Sequence, residues 1–308
     1  MTTGLVTHPA CLAHDTGTGH PERIDRLRAV LAILQEPRFA ALQHIEAPRA
    51  ERADLARVHV AKYVDAVLAA IPASGHAMLD GDTIVSPGSG EAALRAAGAV
   101  IAAVDAVADG QVQNAFCAVR PPGHHAEAAR AMGFCLFNNI AVAAAHARAV
   151  HGWQRVAVVD FDVHHGNGTQ HMFEADPEMF FASSHQMPLY PGTGASGERG
   201  CGNICNAPLP PGAGSAAFRA AMTDRLLPAV EAFQPDLLLV SAGFDAHHAD
   251  PLANLNFDTE DYAWATERLV DLAGRHCQGR LVSTLEGGYD LDALAESAAA
   301  HVAALMKG

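Results

Sequence analysis

Residues 156–170 read VAVVDFDVHHGNGTQ. The apolar run Val156 to Val159 is the pattern of a strand buried on both faces. Asp160, Asp162, His164 and His165 follow where that strand should end. Side chains two apart on a strand share a face, so Asp160, Asp162 and His164 fall on one side while extended geometry lasts. A carboxylate and an imidazole at that spacing can reach a common ion.

Working outward, short apolar runs alternate with Ala-rich amphipathic stretches. Strands are predicted over 116–119, 156–161, 179–183, 236–242 and 280–285, and helices over 91–108, 139–150, 216–233, 259–276 and 291–306. This alternation implies crossover units, hence an α/β fold with a mostly parallel sheet and helices on both faces. With no internal repeat and no Ser/Pro-rich linker, residues 1–308 are expected to form one domain.

In such sheets ligands bind beyond the carboxyl ends of the strands. Those ends read AVRPPGHHAEA, VVDFDVHHGNGT, FASSHQ, LLLVSAGFDAHHADPL and LVSTLEGGYD in chain order. Asp245, just after LLLVSAGF, is the candidate third ligand beside Asp162 and His164. Three nitrogen and oxygen donors with a position left open for water make a catalytic rather than a closed structural metal site. An isolated Asp-x-His is more often a capping or turn motif, but here further ionisable groups surround it. His124 and His125 follow Pro121, Pro122 and Gly123, which fix the backbone before two imidazoles suited to general acid–base work.

Composition limits the alternatives. The chain has 308 residues, half of them hydrophobic, and no apolar run near the roughly 20 residues that a membrane span needs. Its net charge of −14, from 34 acidic and 20 basic residues, argues against a nucleic-acid partner and allows attraction of cationic substrates. The start, MTTGLVTHPACLAHD, lacks the layout of a signal peptide, so a cytoplasmic protein with no membrane partner is expected. Six cysteines form no CxxC pair; Cys201 and Cys205, spaced CxxxC, are half a zinc site at most and are better read as reduced thiols.

The motifs HPERIDRL, RPPGHHA, GFCLFNN, VVDFDVHHGNGT, LYPGTG, SAGFDAHHADPL and LEGGYD, in this order, resemble the histone deacetylase superfamily. Class II deacetylases and bacterial deacetylase-like amidohydrolases are the nearest in pattern. The resemblance implies the arginase/deacetylase-like fold, a three-layer α/β/α arrangement around a sheet of about eight strands. It also implies zinc-dependent hydrolysis of acyl-amides, with Fe²⁺ as a possible alternative metal.

Carried over by position, the resemblance makes Asp162, His164 and Asp245 the zinc ligands, His124 and His125 the tandem histidines, and Tyr289 the hydrogen-bond donor to the substrate carbonyl. Asp160 would hold His124 and, with Ser183, Ser184 and the backbone of Asp162 and His164, bind a potassium ion. A second potassium would lie on the backbone of Phe173, Asp176 and Met179. Asn167 stands beside His125 where class I enzymes have Asp, and predicts a less basic imidazole.

Phe134 and Tyr190 would wall the substrate tunnel, with Gly133 accepting the substrate N–H. Leu252 stands where the polyamine-specific class IIb enzyme has Glu. That substitution tilts the expected substrate toward acetylated lysine in a peptide or protein, with acetylated polyamines as the alternative. Asp80 and Asp82 are either acidic rim groups or turn residues. Arg23 either matches the arginine lining an acetate exit channel beneath the metal or is a simple surface or ion-pair arginine. Relatives range from monomers to tetramers, so a homo-oligomer is possible.

Two rivals are weaker. An arginase-type ureohydrolase needs a DxHxD metal bridge, which Gly166 and Asn167 interrupt. A non-catalytic metal-binding protein would need neither His125 nor Tyr289 beside an open position.

Overall fold

The computed structural model describes residues 2–307. Among them ten strands form: β1 Thr3–Thr7, β2 Gln43–Glu46, β3 Ala77–Met78, β4 Ile84–Val85, β5 Asn114–Cys117, β6 Val156–Asp160, β7 Met179–Gln186, β8 Ile204–Leu209, β9 Leu237–Ala242 and β10 Leu281–Leu285. Eight of them make one sheet in the order β2-β1-β5-β10-β9-β6-β7-β8, and every pairing in it is parallel. The remaining two, β3 and β4, form a small antiparallel pair.

The five predicted strands sit in the middle of this sheet, and β6, β9 and β10 are buried along their whole length. Parallel strands need long crossovers, which the helices supply. Ser89–Ala108 packs against Asn139–His151, and Thr259–His276 against Leu291–Lys307. The stretch predicted as one helix over 216–233 is broken by a π-helical segment, Met222–Leu226, just before Pro228. A proline cannot donate to the preceding turn, so the ladder there is rearranged.

Strand order places the site. From β6 the chain moves outward to β7 and β8, then returns to lay β9 on the other side of β6. The connections leaving β6 and β9 therefore diverge, which opens a crevice between their carboxyl ends. Asp160 is in register with Ser183 on one side and Ser241 on the other. The segments carrying Asp162, His164 and Asp245 thus emerge side by side. Among the described residues no helix is long and apolar enough to cross a membrane.

Candidate active site

Asp162, His164 and Asp245 are all buried, and their ligand atoms converge within 4.8 Å of one another. His164 Nδ1 lies 3.2 Å from Asp162 Oδ1 and 3.2 Å from Asp245 Oδ2. The remaining oxygens are held by backbone donors, Gly287 N–H on Asp162 Oδ2 at 2.8 Å and Val163 N–H on Asp245 Oδ1 at 2.8 Å. Gly287 has to be glycine, because a Cβ there would fall 2.1 Å from Asp245 Oδ2.

Two buried carboxylates face one imidazole at this point. Burial resists a charged His164, yet hydrogen bonds to Asp162 and Asp245 override it and lift the imidazole to about 10. The donor set and its spacing fit a divalent metal with three protein ligands.

The tandem histidines are anchored differently. His124 Nδ1 pairs with Asp160 Oδ2 at 2.9 Å. Burial opposes its charging, but Asp162 and Asp160 raise its pKa well above the usual imidazole range. His125 Nδ1 lies 2.8 Å from Asn167 Oδ1. The orientation of that amide is set by its other end, where Nδ2 donates to Glu127 Oε1 at 2.9 Å. With an acceptor at Nδ1, the neutral ring carries its proton there and leaves Nε2 as the free base. Burial, and then the charges of His124 and His164, push His125 well below the usual imidazole range. The two rings are thus pushed in opposite directions, His124 towards its charged form and His125 towards its neutral form.

Asp82, His125, Gly133, Phe134, His164, Leu189, Tyr190, Leu252 and Tyr289 line one cavity of about 200 Å³. All four expected tunnel residues are therefore brought together over the candidate metal position. Phe134 sits at φ 68°, a conformation unfavourable for an aromatic residue. It packs edge-on to Tyr289, with ring centroids 5.9 Å apart. Tyr190 meets His125 edge-on at 5.3 Å. A larger surface hollow of about 580 Å³, lined by Arg49, Leu68, Glu91 and others, has no such convergence of His, Asp and Tyr.

The sequence left Asp80 and Asp82 open between rim and turn, and the structure separates them. Asp82 lines the cavity and accepts the Gly133 N–H at 3.1 Å, while Asp80 pairs with Arg130 at 3.1 Å.

Of the two readings of Arg23, the structure matches the surface ion pair and not the channel. Arg23 is half exposed and faces Asp25, whereas Arg26, one turn further on, is fully buried. Arg26 donates to the carbonyls of Gly288 at 2.5 Å and Glu286 at 2.6 Å, and its guanidinium lies 4.8 Å from the Tyr289 ring centroid. Glu22 joins Arg26 to Arg120, and those two cations hold its carboxyl well below the usual range against the cost of burial.

The residues expected to hold potassium fall into two groups. At the inner one, the buried Ser184 Oγ has no hydrogen-bond partner, and Asp160 is adjacent in the sheet to Ser183. Ser184 points to the opposite face of β7 from Ser183, and the Ser183 hydroxyl lies 2.9 Å from His185 Nδ1. At the peripheral one, the carbonyls of Phe173, Asp176 and Met179 converge on the side-chain amide of Asn203.

Comparison with known proteins agrees with this geometry. The histone deacetylase domain family matches residues 20–305. The chain belongs to the histone deacetylase family. It is 44% identical over 291 residues to the histone deacetylase-like amidohydrolase of Pseudomonas aeruginosa, covering 93% of this chain and 75% of that one. It is 39% identical over 299 residues to a probable deacetylase of Archaeoglobus fulgidus, covering 95% and 82%. A crystal structure of the HDA15 HD domain superposes with a TM-score of 0.94 at 38% identity, covering 99% of this chain and 88% of the other. As a histone deacetylase family member the chain is a hydrolase of the deacetylase type, and its α/β sheet is the arginase/deacetylase fold.

Glu127, Arg26 and Asn203 were not singled out by the motifs. Arg26 had a signal, the second arginine of HPERIDRL one helical turn from the first. Glu127 and Asn203 act through contacts 40 and 24 or more residues away, which spacing does not reveal.

Proposed function

We propose that this deacetylase hydrolyses the amide of acetyl-lysine side chains, or of related acyl-amides, to acetate and a free amine. The supporting observation is that His164, which meets Asp162 and Asp245, lines one cavity together with His125 and Tyr289. Zn²⁺, or Fe²⁺ with the same donors, bound there would polarise the acyl carbonyl and lower the pKa of the attacking water.

The protein's own groups do the rest. Phe134 and Tyr190 grip an extended methylene chain between aromatic faces. His125 Nε2 takes the proton of the attacking water and returns it to the leaving amine. His124, held by Asp160, keeps a positive charge beside the developing oxyanion. Tyr289 keeps its proton, because burial raises its pKa well above the usual phenol range, and its O–H donates to the oxyanion. The six cysteines are free and mostly buried, as a reducing compartment such as the cytoplasm allows. One sheet gathers strands from Thr3–Thr7 to Leu281–Leu285, which supports treating 1–308 as a single deacetylase domain.

A second reading, an acetylpolyamine amidohydrolase, is favoured by the Asp82 carboxylate in the cavity wall. Leu252, apolar and in the same wall, favours acetyl-lysine. Comparing kcat/KM on an acetyl-lysine peptide and on N8-acetylspermidine decides between them. The lysine reading predicts a preference for the peptide of about tenfold or more, roughly 1.4 kcal/mol in the transition state. A preference for the polyamine would replace it with the second.

A further inference from the structure

The carbonyls of Phe173, Asp176 and Met179 face one point where the helix Asn167–Phe173 leads into β7. Phe173 O accepts the Asp176 N–H and Asp176 O the Met179 N–H, so each keeps a second lone pair for another partner. Three inward carbonyls have the shape and sign of a monovalent cation cradle. Here they hold an amide: Asn203 Nδ2 lies 2.7 Å from Phe173 O, 2.9 Å from Asp176 O and 2.7 Å from Met179 O.

The opposite end of that side chain fixes which way it points. Asn203 Oδ1 accepts the Cys201 N–H at 3.2 Å and faces the Cys201 Sγ at 3.4 Å. A flipped amide would set an oxygen against three oxygens and a nitrogen against a donor. The loop is shaped around this arrangement. Gly200 has φ +55°, and a Cβ there would come within 2.5 Å of Asn203 Oδ1. The nearby Asp176 carboxylate is also taken, by Arg148 at 2.5 Å.

We propose that Asn203 takes the place of a monovalent cation at the peripheral cradle, making that part of the fold independent of potassium. Two N–H groups shared among three carbonyls satisfy the lone pairs that an ion would otherwise neutralise, and they are supplied by the chain itself. The inference is separate from the catalytic reading, because the cradle shares no residue with Asp162, His164 or Asp245.

Thallium(I), a potassium mimic located by anomalous scattering, tests it in crystals of the full chain and of Asn203→Gly. The wild-type cradle is expected to show no thallium and an undisplaced Asn203, while the variant gains a thallium peak among the three carbonyls. The variant's melting temperature should also rise more than the wild type's when KCl replaces choline chloride at constant ionic strength. Thallium in the wild-type cradle with Asn203 swung aside would overturn the proposal. So would a variant with neither the peak nor the added potassium response. Should Asn203→Gly not fold, the wild-type crystal alone decides.

Discussion

Among the described residues two clusters of Asp and His bring their ligand atoms within 4.8 Å of one another, Asp162/His164/Asp245 and Asp105/His146/His151. Their chemistry is the same and their spacing is not. In the first, both contacts of His164 are 3.2 Å. Ligands about 2.0–2.2 Å from a tetrahedral ion stand roughly 3.3 Å apart. In the second, His146 Nε2 and His151 Nε2 lie 2.7 and 2.6 Å from a single oxygen, Asp105 Oδ1. That is hydrogen-bond spacing.

Arg57 Nη1 also lies 3.2 Å from His146 Nδ1. A guanidinium only donates, so Nδ1 accepts and the proton of the neutral ring is on Nε2, aimed at Asp105. The second cluster is therefore a strap between the helices Ser89–Ala108 and Asn139–His151, with no nitrogen lone pair on His146 to give a metal. Residue type nominates a metal site, and spacing with proton placement decides it.

The largest effect should separate the clusters outright. Asp245→Asn is expected to lose tightly bound zinc and to reduce acetate release to the chelated background, while Asp105→Asn keeps both at wild-type levels. Elemental analysis and an acetate assay on the two variants would break the comparison if Asp105→Asn lost zinc.

Tyr289→Phe should come next. Removing one oxyanion donor costs about 10²–10³ in kcat, and zinc content should not change because Tyr289 is not in the ligand set. An unaltered kcat would take this tyrosine out of the mechanism.

A smaller effect concerns pH. His125 is held low by burial and by two neighbouring imidazoles, so it is a free base across neutral pH and loses activity only as pH falls through its depressed pKa. Asn167→Asp puts a carboxylate at Nδ1, which favours the protonated ring. The acid limb of the kcat/KM profile should then move to higher pH; a limb that stays in place would mean that His125 is not the base it reports.

The smallest effect belongs to the strap. His151→Ala removes one hydrogen bond to a half-exposed carboxylate, worth about 1 kcal/mol or less, and should lower the melting temperature by roughly 2 °C with kcat/KM unchanged. Burial raises the Asp105 pKa, but the two histidines outweigh it and depress the pKa. Its stabilisation is present above the ordinary carboxylate pKa and is lost as pH falls through the depressed one. The difference from His151→Ala should therefore shrink in acid.

The central strands were legible because β6, β9 and β10 are buried on both faces and read as unbroken apolar runs. The missed strands of the main sheet are polar or interrupted. TGLVT of β1 has a glycine and two threonines, QHIE of β2 lies at one edge with alternate residues partly exposed, and ICNAPL of β8 has a proline that the other edge tolerates.

The site showed the same division. Asp162, His164 and Asp245 could be found because each closely follows a legible strand, and the cavity gathers Gly133, Phe134, Tyr190 and Leu252 as the motifs implied. Arg26 was displaced by three residues onto Arg23, because only helical phase tells which arginine faces inward. Asn203 and Glu127 could not be found, since an amide's orientation depends on partners that the fold alone brings near.

The most direct test is zinc per chain and acetate release from an acetyl-lysine peptide, measured on one preparation stripped with chelator and then reloaded in steps. The account predicts that activity rises in proportion to bound zinc and saturates at one ion per chain. Activity that survives complete stripping, or that requires a second zinc, would contradict a single metal held by Asp162, His164 and Asp245.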